Sequence, residues 1–421
     1  MGPSSPREDA SGVAAPRPRR VMIYGMNYAP EMIGVGRYTG EIGAYLHDAG
    51  DDVEVVTTPP HYPGWAVRDS FRNRYGVTRS DRMRVTRCPL LLRKEMRGIW
   101  RVLAPLSFAV SSAPVAIWRI LTHRPDVVLM VEPTLFAAPA ALLAAKAAGV
   151  RTVLHVQDLE IDAAFAVGHL KNDALQKAAQ LFERLVLRRF DHIITISDQM
   201  SRRLQLKSIP ADRISVVRNW TDLDQIKPLD GPNAFRAELG LADGAFVVLY
   251  AGNIGAKQAL HVVMDAAAEL TGRPDIVFVI AGEGPELNGL VARRLPNVRF
   301  LPLQPEDRLC ELLNLADLHI LPQDRGAADL VMPSKLAGML ASGRPVLAMA
   351  DPGTEIHDFL EGAATLIPAG DSARLAESVA SLSTSDHEAH AAGALRLAAA
   401  FDRRLSLAVL ADRLSRSKTD Q

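Results

Sequence analysis

The sequence predicts an α/β protein made of two consecutive doubly wound, Rossmann-like domains facing a central cleft. Three observations carry that expectation. Short β-branched runs alternate with helical segments, the pattern of a parallel sheet covered on both faces. The alternation lapses near residue 219 and restarts near residue 246. The chain has 421 residues, 48% of them apolar, which is too long for one core and apolar enough for two. Ligands of paired doubly wound sheets bind where the carboxyl ends of the strands meet the cleft.

Residues 1–20 are rich in Pro, Ser and Arg without apolar periodicity, so they read as a disordered tail. The first domain then spans 21–218. Its strands are expected at 21–25, 53–57, 126–131, 151–156 and 191–197. A helix over 38–49 stops at Gly50, and an Ala-rich helix precedes residue 151. Residues 219–229 carry Trp220, Asp222, Asp224 and Pro228 with no regular period, and read as the interdomain link. The second domain, 230–395, has expected strands at 246–252, 275–282, 298–301, 318–321 and 345–348, with a helix from about Leu260. Residues 396–421 are expected to form a C-terminal helix that packs back on the first domain.

The 48 basic and 48 acidic residues cancel. A nucleic-acid binder usually carries a basic excess, so the balance argues against nucleic acid as a partner. The zero hides an asymmetry. Residues 21–218 hold 26 basic and 19 acidic side chains, a net +7, and residues 219–421 hold 18 and 27, a net −9. Different partners for the two halves would produce this, and so would drift of surface charge. Cys88 and Cys310 are too few for a disulfide framework or a Cys-rich zinc site, and suggest a reducing compartment. The longest Ala/Leu-rich stretch, 135–150, is interrupted by Lys146 and is too short to span a bilayer. No basic-then-apolar signal peptide is recognised at the start. These features predict a cytoplasmic protein.

Strand one runs into a loop with Gly34 and Gly36. Glycines there let backbone amides approach an anion at a helix start, or serve a tight turn. The dinucleotide fingerprint fails: its third glycine, Gly40, falls one place late, and strand two ends in Thr57-Thr58 rather than an acid. After the restart strand, Gly252-Asn253-Ile254-Gly255-Ala256-Lys257 sets a lysine beside a glycine turn, which suits a phosphate. Glu283 lies between Gly282 and Gly284 at the next strand end. Pro333-Ser334-Lys335 opens a helix whose free amides would favour a diphosphate. Taken singly, each lysine also reads as a solvated surface residue.

From about residue 20 to residue 414 the chain resembles the retaining family 4 glycosyltransferases of GT-B fold. Within them it is most similar to the exopolysaccharide group that includes the WcaI-like colanic-acid enzymes. The matching stretches are Tyr24 to Glu31, Gly34 to Glu41, Val56 to Pro63 and His155-Val156-Gln157-Asp158-Leu159. In the second domain they are Tyr250 to Gly255, Lys257-Gln258, Pro333 to Leu336 and Ala341 to Val346. The resemblance implies a UDP- or GDP-linked sugar as donor substrate on the second domain, no separate cofactor, and a lipid-linked saccharide acceptor on the first. By position it implies Lys257 at the donor diphosphate, with Gly255, Glu283, Gly284, Ser334 and Lys335 around it. Gly34 and Gly36 would sit where donor phosphate and acceptor meet, and Asp158 where relatives carry an acid after a histidine. The catalytic set is then Asp158, Gly36 and Lys257, with no metal. Two departures stand out. The family's glutamate pair, eight positions apart, is missing, with Leu330 and Gly338 at its places, and Asn253 stands where many relatives have an arginine.

Other readings remain open at this level: a nucleotide-sugar epimerase of similar fold, or a non-catalytic scaffold of a polysaccharide assembly complex. Asp222-Leu223-Asp224 resembles a metal-binding motif of another glycosyltransferase fold but lies in the link. His155 reads equally as a packed strand-end histidine. Between residues 79 and 124, ten cations (Arg79, Arg82, Arg84, Arg87, Arg93, Lys94, Arg97, Arg101, Arg119, Arg124) face two acids, Asp81 and Glu95, with Leu90 to Leu92, Ile99, Trp100, Leu103, Leu106 and Phe108 interleaved. Such a stretch suits an anionic membrane surface, or a core face backed by solvated arginines.

Overall fold

The computed structural model describes residues 18–31, 34–62, 64–93, 100–133, 135–158, 173–323, 332–385 and 387–416. The tail up to residue 17, Lys94, Glu95, Arg97, Ile99 and Leu330 lie outside these residues, as do the side chains of Arg101 and Lys257. The chain divides into two compact units, Met1–Leu154 with Arg189–Asp191, and His155–Arg188 with His192–Gln421.

Two sheets form the frame. The first contains β1 (Arg20–Tyr24), β2 (Asp52–Thr57), β3 (Gly76–Ser80), β4 (Met83–Arg87), β5 (Val127–Glu132), β6 (Arg151–Val156), β7 (His192–Thr195) and β8 (Ile214–Val216), in the order β3-β4-β2-β1-β5-β6-β7-β8. β1 pairs parallel with β2 and β5, β2 with β4 and β7 with β8, while the β3–β4 hairpin is antiparallel. The second contains β9 (Phe246–Ala251), β10 (Ile276–Ala281), β11 (Val298–Leu301), β12 (Leu318–Leu321), β13 (Val346–Met349) and β14 (Thr365–Ile367), all parallel, in the order β11-β10-β9-β12-β13-β14. Renumbered from its own first strand, that order is 3-2-1-4-5-6, the doubly wound dinucleotide-type topology. With the β3 edge strand set aside, the first sheet reads 3-2-1-4-5-6-7, the same order extended by one strand, β8. The topology therefore puts the switch points between β1 and β5 and between β9 and β12, where chain direction leaves a crevice at the strand ends.

The strands read as unbroken apolar runs because both faces are covered. β5, β6 and β10 are buried along their whole length. Around the second sheet, Tyr250, Leu260, Phe278, Leu318 and Leu347 join one apolar cluster, and Leu321, Leu336, Leu340 and Ile356 another. Within the second unit the link is pinned to the C-terminal helix Arg403–Ser415. Thr221 bridges Asp402, Asp222 pairs with Arg403 at 3.1 Å, and Asp224 pairs with Arg404 at 2.5 Å. The two acids of the Asp-x-Asp run are thus committed to arginines.

The basic stretch divides. Residues 76–87 fold as the β3–β4 hairpin, and Trp100–His123 is a single helix. Ala104, Phe108, Ser112, Ala116 and Ile120 recur every fourth residue and are buried. Arg119 is buried against Glu54, which Arg84 also approaches at 3.7 Å. Arg87 donates to the carbonyls of Thr58 and Ala29 at 2.8 and 2.7 Å. The opposite helix face leaves Leu106, Val110, Ile117, Trp118 and Leu121 exposed. Among the described residues, the segment Val102–His123 is long and apolar enough to cross a membrane by length and composition. Its buried face packs in the domain core.

Candidate active site

The donor-side candidates gather at the β9 end of the second sheet's switch point. Gly252 N donates to Ala281 O at 2.9 Å, Ile254 N to Glu283 O at 2.8 Å, and Glu286 N to Ile254 O at 3.2 Å. The loop after β9 is thereby laced backbone to backbone with the loop after β10. That lacing explains the glycines. A Cβ at Gly282 would fall on the carbonyl of Gly252, and one at Gly284 on the carbonyl of Ile254. Their φ values of 143° and 159° point the same way. Glu283 itself is exposed, and its carbonyl does the structural work.

Gly255 begins a short 3₁₀ turn, Ala256–Gln258, that carries Lys257. Gln258 Oε1 accepts from Gly255 N at 3.2 Å and closes the turn. Lys335 opens the seven-residue helix Lys335–Ala341, with Ser334 before it exposed and making no capping bond. Lys335 does not point into solvent. Its Nζ donates to the Tyr250 hydroxyl at 2.9 Å and lies 4.2 Å from that ring's centroid. The hydroxyl donates onward to the carbonyl of Asn253 at 2.5 Å. Gly252 lies beside the lysine, where a Cβ would make only ordinary contact with Lys335 Nζ at 3.7 Å; its φ of 149° is what calls for glycine. Burial pushes Lys335 down to about 7 and pushes the Tyr250 phenol well above its ordinary value.

In the first unit, the loop from β1 to the helix Gly34–Asp48 wraps a buried carboxylate. Glu31 Oε1 accepts from the backbone of His61 and of Tyr62, each at 3.0 Å, and Oε2 accepts from Asn27 Nδ2 at 2.9 Å. A Cβ on Gly36 would collide with that carboxylate, and one on Gly34 would come within 3.3 Å of the Tyr62 ring. His61 Nδ1 lies 3.1 Å from both the carbonyl of Pro59 and the hydroxyl of Thr58. Burial lowers the His61 pKa, with the nearby Glu31 carboxylate opposing. The glycines at this helix start are therefore needed for close packing over a hydrogen-bonded acid. Glu31 and His61 belong to quoted sequence motifs, yet neither is a predicted site residue. The signal was an acid placed just before a glycine loop.

Asp158 follows β6 and is half-buried. Its neighbour Gln157 accepts from Asn219 Nδ2 at 3.0 Å and reaches the His155 ring at 3.3 Å. His155 is fully enclosed, and burial lowers it to about 4, so it is a neutral packed residue at neutral pH. Tyr250, which holds Lys335, is a further residue the sequence reading passed over. It was quoted as part of a strand, where an aromatic reads as core.

Comparison with known proteins agrees with this geometry. Residues 34–220 match the glycosyl transferase 4-like domain, and residues 245–385 match the glycosyl transferases group 1. The colanic acid biosynthesis glycosyl transferase WcaI of Escherichia coli K12 is 38% identical over 352 residues, covering 81% of this chain and 86% of that protein. Among solved structures, sucrose-phosphate synthase of Thermosynechococcus elongatus superposes with a TM-score of 0.69 at 15% identity, covering 94% of this chain and 98% of that one. HepE of Anabaena, solved with UDP, does so with a TM-score of 0.67 at 17% identity, covering 94% and 99%. The chain belongs to the family 4 glycosyltransferases of GT-B fold, enzymes that transfer a sugar from a nucleotide sugar in glycan synthesis.

Proposed function

We propose that this enzyme is a retaining, metal-independent hexosyltransferase that moves a sugar from a UDP- or GDP-sugar to a hydroxyl of a lipid-linked saccharide. The observation that supports the reading is the cluster at the second sheet's switch point, where Lys335 seats on Tyr250 beside the laced glycine loops; Lys257 joins it by its place on the turn after β9. Gly255, Lys257, Ser334 and Lys335 hold the diphosphate, and Gly284 keeps the loop with Glu283 against it. In the reaction the bond from the anomeric carbon to the diphosphate oxygen breaks. The acceptor oxygen bonds to that carbon on the same face, and its proton passes to the departing phosphate. Lysines and oriented amides meet the charge that develops on the leaving group. Asp222 and Asp224 are paired with arginines, which supports a site that works without a metal. A covalent route would need a placed carboxylate nucleophile. Asp158 is assigned to the reacting sugar, and Gly34 and Gly36 to the meeting of donor and acceptor.

For the acceptor we infer a cytoplasmic enzyme peripheral to the inner face of the cell membrane. The exposed stripe Leu106, Val110, Ile117, Trp118 and Leu121 supports this, with Tyr75 hydrogen-bonded to Ser111 O at 2.9 Å and Arg79 and Arg82 exposed on the hairpin. Such a surface suits anionic headgroups and a polyprenyl-diphosphate acceptor. A thermal-shift screen against UDP- and GDP-sugars tests the donor half. One nucleotide series should raise the melting temperature in the wild type and do so less in Lys257→Ala. Flotation with anionic and neutral liposomes tests the membrane half. Binding should need anionic lipid and weaken with salt. Equal flotation with neutral lipid would remove the membrane claim.

A further inference from the structure

We propose that Lys335, seated on Tyr250, is the second cation of the donor site and takes up a proton when the diphosphate binds. The proposal rests on the donor-site reading above. It starts from the loop after β9, where Asn253 carries no charge beside the Lys335 amine. The structure shows what occupies that neighbourhood. Asn253 offers its carbonyl to the Tyr250 hydroxyl at 2.5 Å, and the same hydroxyl accepts from Lys335 Nζ at 2.9 Å. The phenol has one hydrogen, and it is spent on Asn253. Its lone pair therefore fixes one Lys335 hydrogen, and the remaining valences of Nζ are left for a ligand. The ring face at 4.2 Å steadies the amine whenever it is charged. Gly252 turns the chain beside the lysine at a φ of 149°, a backbone conformation that L side chains rarely adopt.

The surroundings decide the charge. The neighbouring loops and strand carry Tyr250 on β9, Lys257 on the turn after it, and Glu283 and Glu286 after β10, and the helix Glu388–Ala398, which packs on the Lys335 helix, carries Glu388, His390 and Arg396. Tyr250 stays neutral, since burial raises its pKa. Glu283 is exposed, and burial alone accounts for the depression of Lys335 to about 7. At mildly alkaline pH much of the lysine is therefore uncharged. An empty site thus avoids a lone buried charge, and an arriving diphosphate restores the ammonium by drawing one proton from solvent. Tyr250 is a positioning residue in this scheme.

The test is isothermal titration of the full chain with UDP, and with GDP in parallel. Titrations run at pH 8 in two amine buffers of different ionisation enthalpy, and again at pH 6. A terminal phosphate has a pKa of about 6, so at pH 8 the ligand arrives deprotonated. The expected result is uptake near one proton per nucleotide at pH 8, giving way at pH 6 to no uptake or to net release, because about half of the terminal phosphate arrives protonated there. Lys335→Met should abolish the uptake and weaken binding at least tenfold. Lys335→Arg, already charged, should bind without uptake, and it serves where the methionine variant folds poorly. Tyr250→Phe should weaken binding several-fold in the wild type and add nothing to Lys335→Met. Tight binding without uptake, unchanged by Lys335→Met, would overturn the proposal and leave the donor reading intact. Failure of both nucleotides to bind at either pH would sink the donor reading, and this proposal with it.

Discussion

Replacing Glu31 by alanine would remove the acceptor of three hydrogen bonds at once: His61 N, Tyr62 N and Asn27 Nδ2. His61, Asn27 and Glu31 are buried, so water cannot readily take over two of the three. A buried donor left unpaired costs about 1–3 kcal/mol. The loss is therefore roughly 2–6 kcal/mol, against a total of about 5–15 for a typical domain. Glu31→Gln separates geometry from charge. Its carbonyl oxygen can still accept from both backbone amides, and Asn27 can turn its own amide to meet the new NH₂. That variant should lose only about 1 kcal/mol. Urea unfolding followed by tryptophan fluorescence measures both, since Trp65 lies on the loop beside His61, with ring centroids 5.7 Å apart. Glu31→Ala within about 0.5 kcal/mol of the wild type would refute the reasoning. So would Glu31→Gln losing as much as the alanine variant, because charge rather than hydrogen-bond geometry would then be in command.

Gly284→Ala drives a methyl into the Ile254 carbonyl and should unlace the two donor loops, lowering stability by about 2–4 kcal/mol and weakening UDP binding, both readable in one urea titration with and without UDP. Wild-type stability in that variant would contradict the packing account. Lys257→Ala should cut donor turnover at least tenfold while the melting temperature holds, since one charge-assisted phosphate contact contributes about 1.5–3 kcal/mol. Activity should survive EDTA; abolition by chelator with rescue by magnesium or manganese would count against a lysine-and-amide site.

Much of the fold was legible because buried parallel strands are nearly pure apolar runs. All ten expected strands occur within a residue or two of their predicted ends. β3, β4, β8 and β14 were missed for a shared physical reason. β3 is exposed along its length, β4 carries Arg84 and Arg87, and β8 and β14 have three residues each, so hydrophobic patterning is weak or absent. The helix Trp100–His123 was read only as part of a basic surface, because Pro105 and Pro114 interrupt its pattern. In the site, the glycine positions could be read, but their causes could not. Gly36 is dictated by Glu31, and Gly282 and Gly284 by carbonyls about 30 residues earlier in the chain. Such reasons are tertiary and leave no local signature. The Lys335–Tyr250 pair spans 85 residues and is invisible to spacing for the same reason.

The central claim is transfer with retention, and one measurement addresses it directly. Purified enzyme is given an α-linked UDP- or GDP-sugar with a polyprenyl-diphosphate saccharide, and the anomeric configuration of the product is read by proton NMR. The account predicts an extended saccharide carrying the new sugar in α linkage, formed only when the acceptor is present and in the presence of EDTA. A β-linked product would contradict retention. A donor isomerised without acceptor, or left intact under every acceptor tried, would contradict the transferase reading itself.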